Sequence, residues 1–211
     1  MILSFILISL LFAVQIITAS PERYYAGYYY YGTAGYPPPN GVSADIYTIN
    51  KEVSGENFYA QWPCVILSYA YKYWVQVGYN KGYDSNYQLL WYVEKQDING
   101  YQIIWYKKDS PLSGITYHYY LYQPRGTTIW RAGVTGYFEQ ELEVSPYTAR
   151  DYQAFSETTT QSINIDGTHF LYISYAKGSD WYLWDRHLSR ADNPYWVKEI
   201  SDYEFKAGGG E

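Results

Sequence analysis

Cysteine is almost missing from this chain: Cys64 is the only one among 211 residues, so no intramolecular disulfide can form and stability must come from packing. Cys64 itself reads as a small buried hydrophobe. Charge is scarce as well, at 17% Asp, Glu, Lys and Arg with a net charge of -6, which excludes a basic nucleic-acid surface. With few ion pairs to lose as carboxylates protonate, acid tolerance is expected. His118, His169 and His187 stand alone, without the Cys or close-set carboxylates of a metal site, so neither a metal nor another cofactor is expected. The chain has no Asn-x-Ser/Thr sequon, no Gly-x-Ser-x-Gly nucleophile elbow and no phosphate-cradling glycine loop. It also has no window of a dozen residues with helical periodicity and caps.

What fills the chain instead is aromatic: 30 Tyr, 8 Trp and 7 Phe, side chains of large apolar area of which tyrosine keeps a polar handle. Residues Ile2 to Ile17 form an apolar run interrupted only by Gln15, followed by Thr18-Ala19-Ser20. This predicts a signal peptide over residues 1–19, although no Lys or Arg precedes the run. No other segment is long and apolar enough to span a bilayer, so the mature chain is expected at the cell surface or secreted. Roughly 190 residues remain, which suits one domain, residues 20–211.

Short alternating runs with turn signals recur throughout. Asn40-Gly41, Asp97-Ile98-Asn99-Gly100, Gln123-Pro124-Arg125-Gly126, Asp166-Gly167 and Lys177-Gly178 punctuate them, and Trp62-Pro63-Cys64 is read as another turn. The pattern predicts an all-β fold, a two-sheet antiparallel jelly-roll sandwich. The glycine-rich tail from Ala207 is expected to fray.

One stretch sets the chemistry. In Tyr73 to Glu94, alternation puts Tyr73, Val75, Val77 and Tyr79 on one strand face and Trp74, Gln76 and Gly78 on the other, so a lone amide lies between an aromatic ring and a residue without a side chain. The run Gln88 to Glu94 then returns as an antiparallel partner. Late in the chain, alternation through Tyr152 to Thr160 places Gln153, Phe155, Glu157 and Thr159 together, with a carboxylate in mid-strand. Glu94, Asp84 and the Glu139-Glu141-Glu143 ladder read as solvated.

Tyr25-Ala26-Gly27-Tyr28, then Val75-Gln76-Val77-Gly78 ahead of Trp91-Tyr92-Val93-Glu94, then Ala154-Phe155-Ser156-Glu157-Thr158 resemble, in order and spacing, the glutamic peptidases of the eqolisin type. The resemblance implies a concanavalin-A-like double sheet and an exported endopeptidase acting in acid on polypeptide. Gln76 would then match the catalytic glutamine and Glu157 the catalytic glutamate, with Trp74, Tyr79, Trp91 and Tyr92 lining substrate subsites. The start departs from the family's Trp-Ala-Gly-Tyr, the cysteines of fungal members are missing, and Glu94 sits one residue off the expected Trp-x-Glu spacing. Two other readings compete. One is a non-catalytic surface or filament protein self-associating through the Tyr24 to Tyr31 strand; the other is a carbohydrate-binding sandwich.

Overall fold

The computed structural model describes residues 22–31, 39–106, 110–146 and 148–211 of the chain; the expected signal peptide lies outside the described residues. Fifteen strands follow in order among the described residues. The first eight are β1 (Tyr24–Tyr31), β2 (Gly41–Tyr47), β3 (Phe58–Ser68), β4 (Tyr73–Gly82), β5 (Leu90–Asp97), β6 (Gly100–Tyr106), β7 (Thr116–Tyr122) and β8 (Ile129–Val134). Then come β9 (Phe138–Glu143), β10 (Asp151–Thr158), β11 (Thr168–Lys177), β12 (Asp180–Leu183), β13 (Leu188–Ala191), β14 (Trp196–Ser201) and β15 (Glu204–Gly208). A 3-10 turn at Tyr83–Ser85 stands between β4 and β5.

The strands form two antiparallel sheets. One runs β13-β1-β10-β3-β4-β5-β6 and the other β14-β15-β11-β2-β7-β8-β9, with β12 attached to β11. This is the expected β-sandwich. No helix among the described residues is long and apolar enough to cross a membrane.

Period-two alternation sends one face of each sheet into a shared core. From the first sheet come Ala26, Tyr28, Val65, Val75, Val77, Trp91 and Ala154; from the second, Val42, Ala44, Ile46, Tyr119, Trp130 and Phe170. The core accepts many tyrosines because their hydroxyls find partners, which offsets the cost of burying them. Tyr79 Oη accepts the Ile49 amide at 3.0 Å, Tyr59 Oη donates to the Ile49 carbonyl at 3.1 Å, and Trp91 Nε1 donates to Tyr119 Oη at 3.1 Å.

Three expectations change. Trp62-Pro63-Cys64 is not a turn: it lies inside β3, and Pro63 pairs with Ala154 of β10. Nor is the tyrosine strand an open edge, because β1 pairs with β10 along its whole length and with β13 over Ala26 to Tyr29. Over those four residues β13 occupies the side of β1 on which another subunit's strand would pair. The C-terminal tail is docked rather than frayed: Ala207 is fully buried and the Gly209 amide donates to Asp166 Oδ1 at 2.9 Å.

Candidate active site

The face of the first sheet turned away from the core carries its own aromatic cluster. Ala60, Trp62 and Cys64 of β3, Tyr92 of β5 and Phe155 of β10 are buried there, with Tyr25, Tyr29, Phe58, Ile66, Trp74, Ile103 and Trp105 packed around them. Small residues at 60 and 64 on the central strand leave a floor, and aromatics on the flanking strands make walls. The result is a groove of about 870 Å³. Gln76 and Glu157 both line it.

They enter from the two strands that sandwich β3. Gln76 of β4 stands level with Cys64, and Glu157 of β10 stands level with Ala60. Gln76 is 5% exposed and Glu157 is 6% exposed. Directly across Cys64 from Gln76 is another amide, Gln153, while the residue across Ala60 from Glu157 is Asn80. Asn80 also lines the groove, and its Oδ1 is buried without a hydrogen-bond partner.

Glu157 is held at both oxygens. Oε2 accepts the Trp62 indole N–H at 2.9 Å, and Oε1 takes a charge-assisted bond from the Arg23 guanidinium. Arg23 in turn lies over the Phe58 ring, 4.6 Å from its centre. Burial nevertheless wins: it pushes the Glu157 carboxyl above the usual carboxylate range, against the pull of Arg23 and Trp62.

Gln76 gives both its N–H donors to neighbours, one to Tyr92 Oη at 2.9 Å and one to Glu94 Oε1. Glu94 is level with Gln76 across the β4–β5 pair, and its second oxygen accepts Tyr101 Oη at 2.6 Å. It is therefore part of the site rather than solvated. Burial pushes its carboxyl up to about 8; the Tyr101 bond opposes this and the charge of Glu157 adds to it.

Of the aromatics expected in subsites, Trp74 and Tyr92 line the groove. Tyr79 and Trp91 do not. Both are fully buried in the core between the sheets, on the strand face opposite Gln76, where their polar atoms are tied to Ile49 and Tyr119. Alternation also resolves the displaced Trp-x-Glu spacing: the aromatic sharing a face with Glu94 is Tyr92, two residues away.

Sequence reasoning missed Trp62, Arg23, Tyr101 and Asn80. Trp62 was legible as one of Phe58, Ala60, Trp62 and Cys64, which alternate, but Pro63 interrupts the run with a breaker. Arg23 and Tyr101 are long side chains arriving from strand ends, which no local pattern marks. Among the described residues no cluster of His, Cys, Asp and Glu could hold a metal ion.

By sequence, no protein-family model and no curated protein matches the chain. By structure it is similar to scytalido-glutamic peptidase, solved with a transition state analog inhibitor. That match has a TM-score of 0.66 at 10% identity, covering 90% of this chain and 99% of the other. It is also similar to SCP-B, a member of the eqolisin family of peptidases solved with the tripeptide Ala-Ile-His, with a TM-score of 0.56 at 9% identity over 90% and 99% of the two chains. At these identities the likeness is one of fold.

Proposed function

We propose that the chain is an exported glutamic endopeptidase that hydrolyses polypeptide in this groove. The observation that carries the reading is that Gln76 and Glu157, a buried amide and a buried carboxylate from separate strands, both line one groove of a fold the chain shares with two peptidases. Two-sided burial of this kind is costly for polar groups that do nothing, and it is where acid–base residues are tuned.

In the proposed reaction ionised Glu157 takes a proton from a water as that water adds to the scissile carbonyl. Each carboxylate oxygen keeps a second lone pair beyond the bonds from Arg23 and Trp62, so the base function is not blocked. The Gln76 amide donates to the oxyanion that forms, and Glu157 returns its proton to the leaving nitrogen as the C–N bond breaks.

Gln76 can donate to an oxyanion only if one N–H is released. Protonated Glu94 accomplishes this by becoming a donor: the amide turns, its oxygen accepts from Tyr92 and Glu94, and its nitrogen faces the groove. Activity then rises as Glu157 ionises and falls again as Glu94 ionises at about 8.

Glu157→Gln and Gln76→Ala are each expected to lower cleavage of an unfolded protein at pH 5 to 6 by about 10²- to 10³-fold, with melting temperatures close to wild type. Full activity in either variant removes the assignment. A second reading is favoured by the amide, Gln153, that faces Gln76 across Cys64. It is a non-catalytic groove that binds extended polypeptide, and it predicts peptide binding by the wild type without any cleavage.

A further inference from the structure

A second recess lies on the opposite side of the molecule, on the outward face of the second sheet, with a volume of about 860 Å³. Its floor is Ala176 of β11, and small residues surround it in the sheet. Gly41 and Ser43 of β2 stand beside Ala176 and Ser174 of β11. At Gly41 a Cβ would fall 2.9 Å from Tyr122 Cβ and 3.0 Å from Ala176 Cβ, so no larger floor fits.

Aromatic side chains rise on both sides of this floor. Trp181 of β12 pairs with Ala176 on one side, and Tyr122 and Tyr120 of β7 pair with Gly41 and Ser43 on the other. His118 extends the second row, its ring 6.4 Å from Tyr120, and Tyr120 lies 6.1 Å from Tyr122. Trp181 is 43% exposed.

These rings are held in place. Tyr120 lies across Gly133 of β8, where a Cβ would come within 2.7 Å of its hydroxyl, and the hydroxyl donates to Glu139 Oε2 at 3.0 Å. Arg131 donates to Tyr122 Oη at 3.3 Å and is itself fixed by Glu139 at 3.5 Å and Glu141 at 2.9 Å. Asn40 and Gly178 close one end with a reciprocal pair of bonds at 3.0 and 2.9 Å.

We propose that this trough, with Trp181 and Tyr122 as walls over an Ala176 floor, is a binding site for a neutral oligosaccharide. The C–H faces of a pyranose carry slight positive charge and suit the electron-rich faces of rings fixed in advance. Hydroxyls around the sugar's edge need donors and acceptors at the rim, which Glu139, Asp180 and Arg125 supply. Arg125 and Lys177 balance Glu139 and Asp180 among the lining residues, so no net field selects a charged polymer.

The test is calorimetric titration of the full protein with cello-, xylo-, manno- and chitohexaose, with a trigalacturonate and an unstructured peptide as controls. At least one neutral hexasaccharide is expected to bind, with affinity falling tenfold or more in both Trp181→Ala and Tyr122→Ala and unchanged in Trp105→Ala, which alters the other groove. Trp181 is exposed on a short strand, and Tyr122→Ala provides an independent reading should β12 loosen. The proposal is overturned if no neutral hexasaccharide binds, if only the galacturonate or the peptide binds, or if binding survives Trp181→Ala and is lost in Trp105→Ala.

Discussion

Glu94 shows how far a residue's neighbours decide its chemistry. On sequence it is one more glutamate on an alternating strand; in the fold it is the acceptor for Gln76 and Tyr101 and faces the charge of Glu157. Because folding raises its value from 4.5 to about 8, the ionised form is the one the fold disfavours. The stability contributed by this group is complete below pH 4.5 and is lost as pH rises through 8. The melting temperature is therefore expected to rise as pH falls from 9 toward 5, by an amount on the order of a few kcal/mol in stability. In Glu94→Gln that rise should shrink, as thermal unfolding across the range would report. An opposing slope at lower pH comes from Asp97. Burial raises its carboxyl, but bonds from Lys95, Asn99 and Ser145 together hold it below its ordinary value, so its contribution is lost as pH falls. Gln76 and Glu157 were legible because each is a polar residue breaking an apolar strand pattern. Glu94 was not, since its role depends on Tyr101 and on register with Gln76, and neither is written locally.

At the scale of elements, β3 is the strand on which the groove depends. It separates the strands of Gln76 and Glu157, carries Trp62 to the carboxylate, and supplies the small floor residues Ala60 and Cys64. Its close approach to β4 rests on Gly78, where a Cβ would meet the Gln61 carbonyl oxygen at 2.2 Å and Trp62 Cβ at 2.8 Å. Gly78→Ala must push the two strands apart and is expected to cost about 1–3 kcal/mol, measurable as a shift in denaturant midpoint. Unchanged stability would mean that the β3–β4 contact is looser than the structure gives it. The same strand shows where sequence reading failed. Proline removes a ladder donor and normally marks a turn or an edge, yet Pro63 sits in an interior strand opposite Ala154. The alternation on either side of it was the better guide. Alternation also argued against Tyr79 and Trp91 as groove residues, because each lies an odd number of positions from a residue that faces the groove. Their aromatic character outweighed that signal in the resemblance, and the core claimed them.

For the molecule as a whole, tyrosines serve in the core, in the groove on the first sheet and as rings on the outward face of the second, and others such as Tyr71 and Tyr83 stand exposed. The sandwich itself was readable from period-two runs between turn signals, since that pattern has few other solutions. The pairing of distant strands was not, and it is this pairing that sets the strands of Gln76 and Glu157 on either side of β3 and lays β13 along Ala26 to Tyr29 of β1. Action of an ionised Glu157 and a Gln76 released by protonated Glu94 on one substrate carbonyl would show in the pH dependence of kcat/KM for cleavage of an unfolded protein by the wild type and by Glu94→Gln. The expected wild-type profile is a bell whose alkaline limb falls near pH 8, where Glu94 ionises, and whose alkaline limb moves or disappears in the variant. Absence of cleavage at every pH, or an alkaline limb identical in the two proteins, would contradict it.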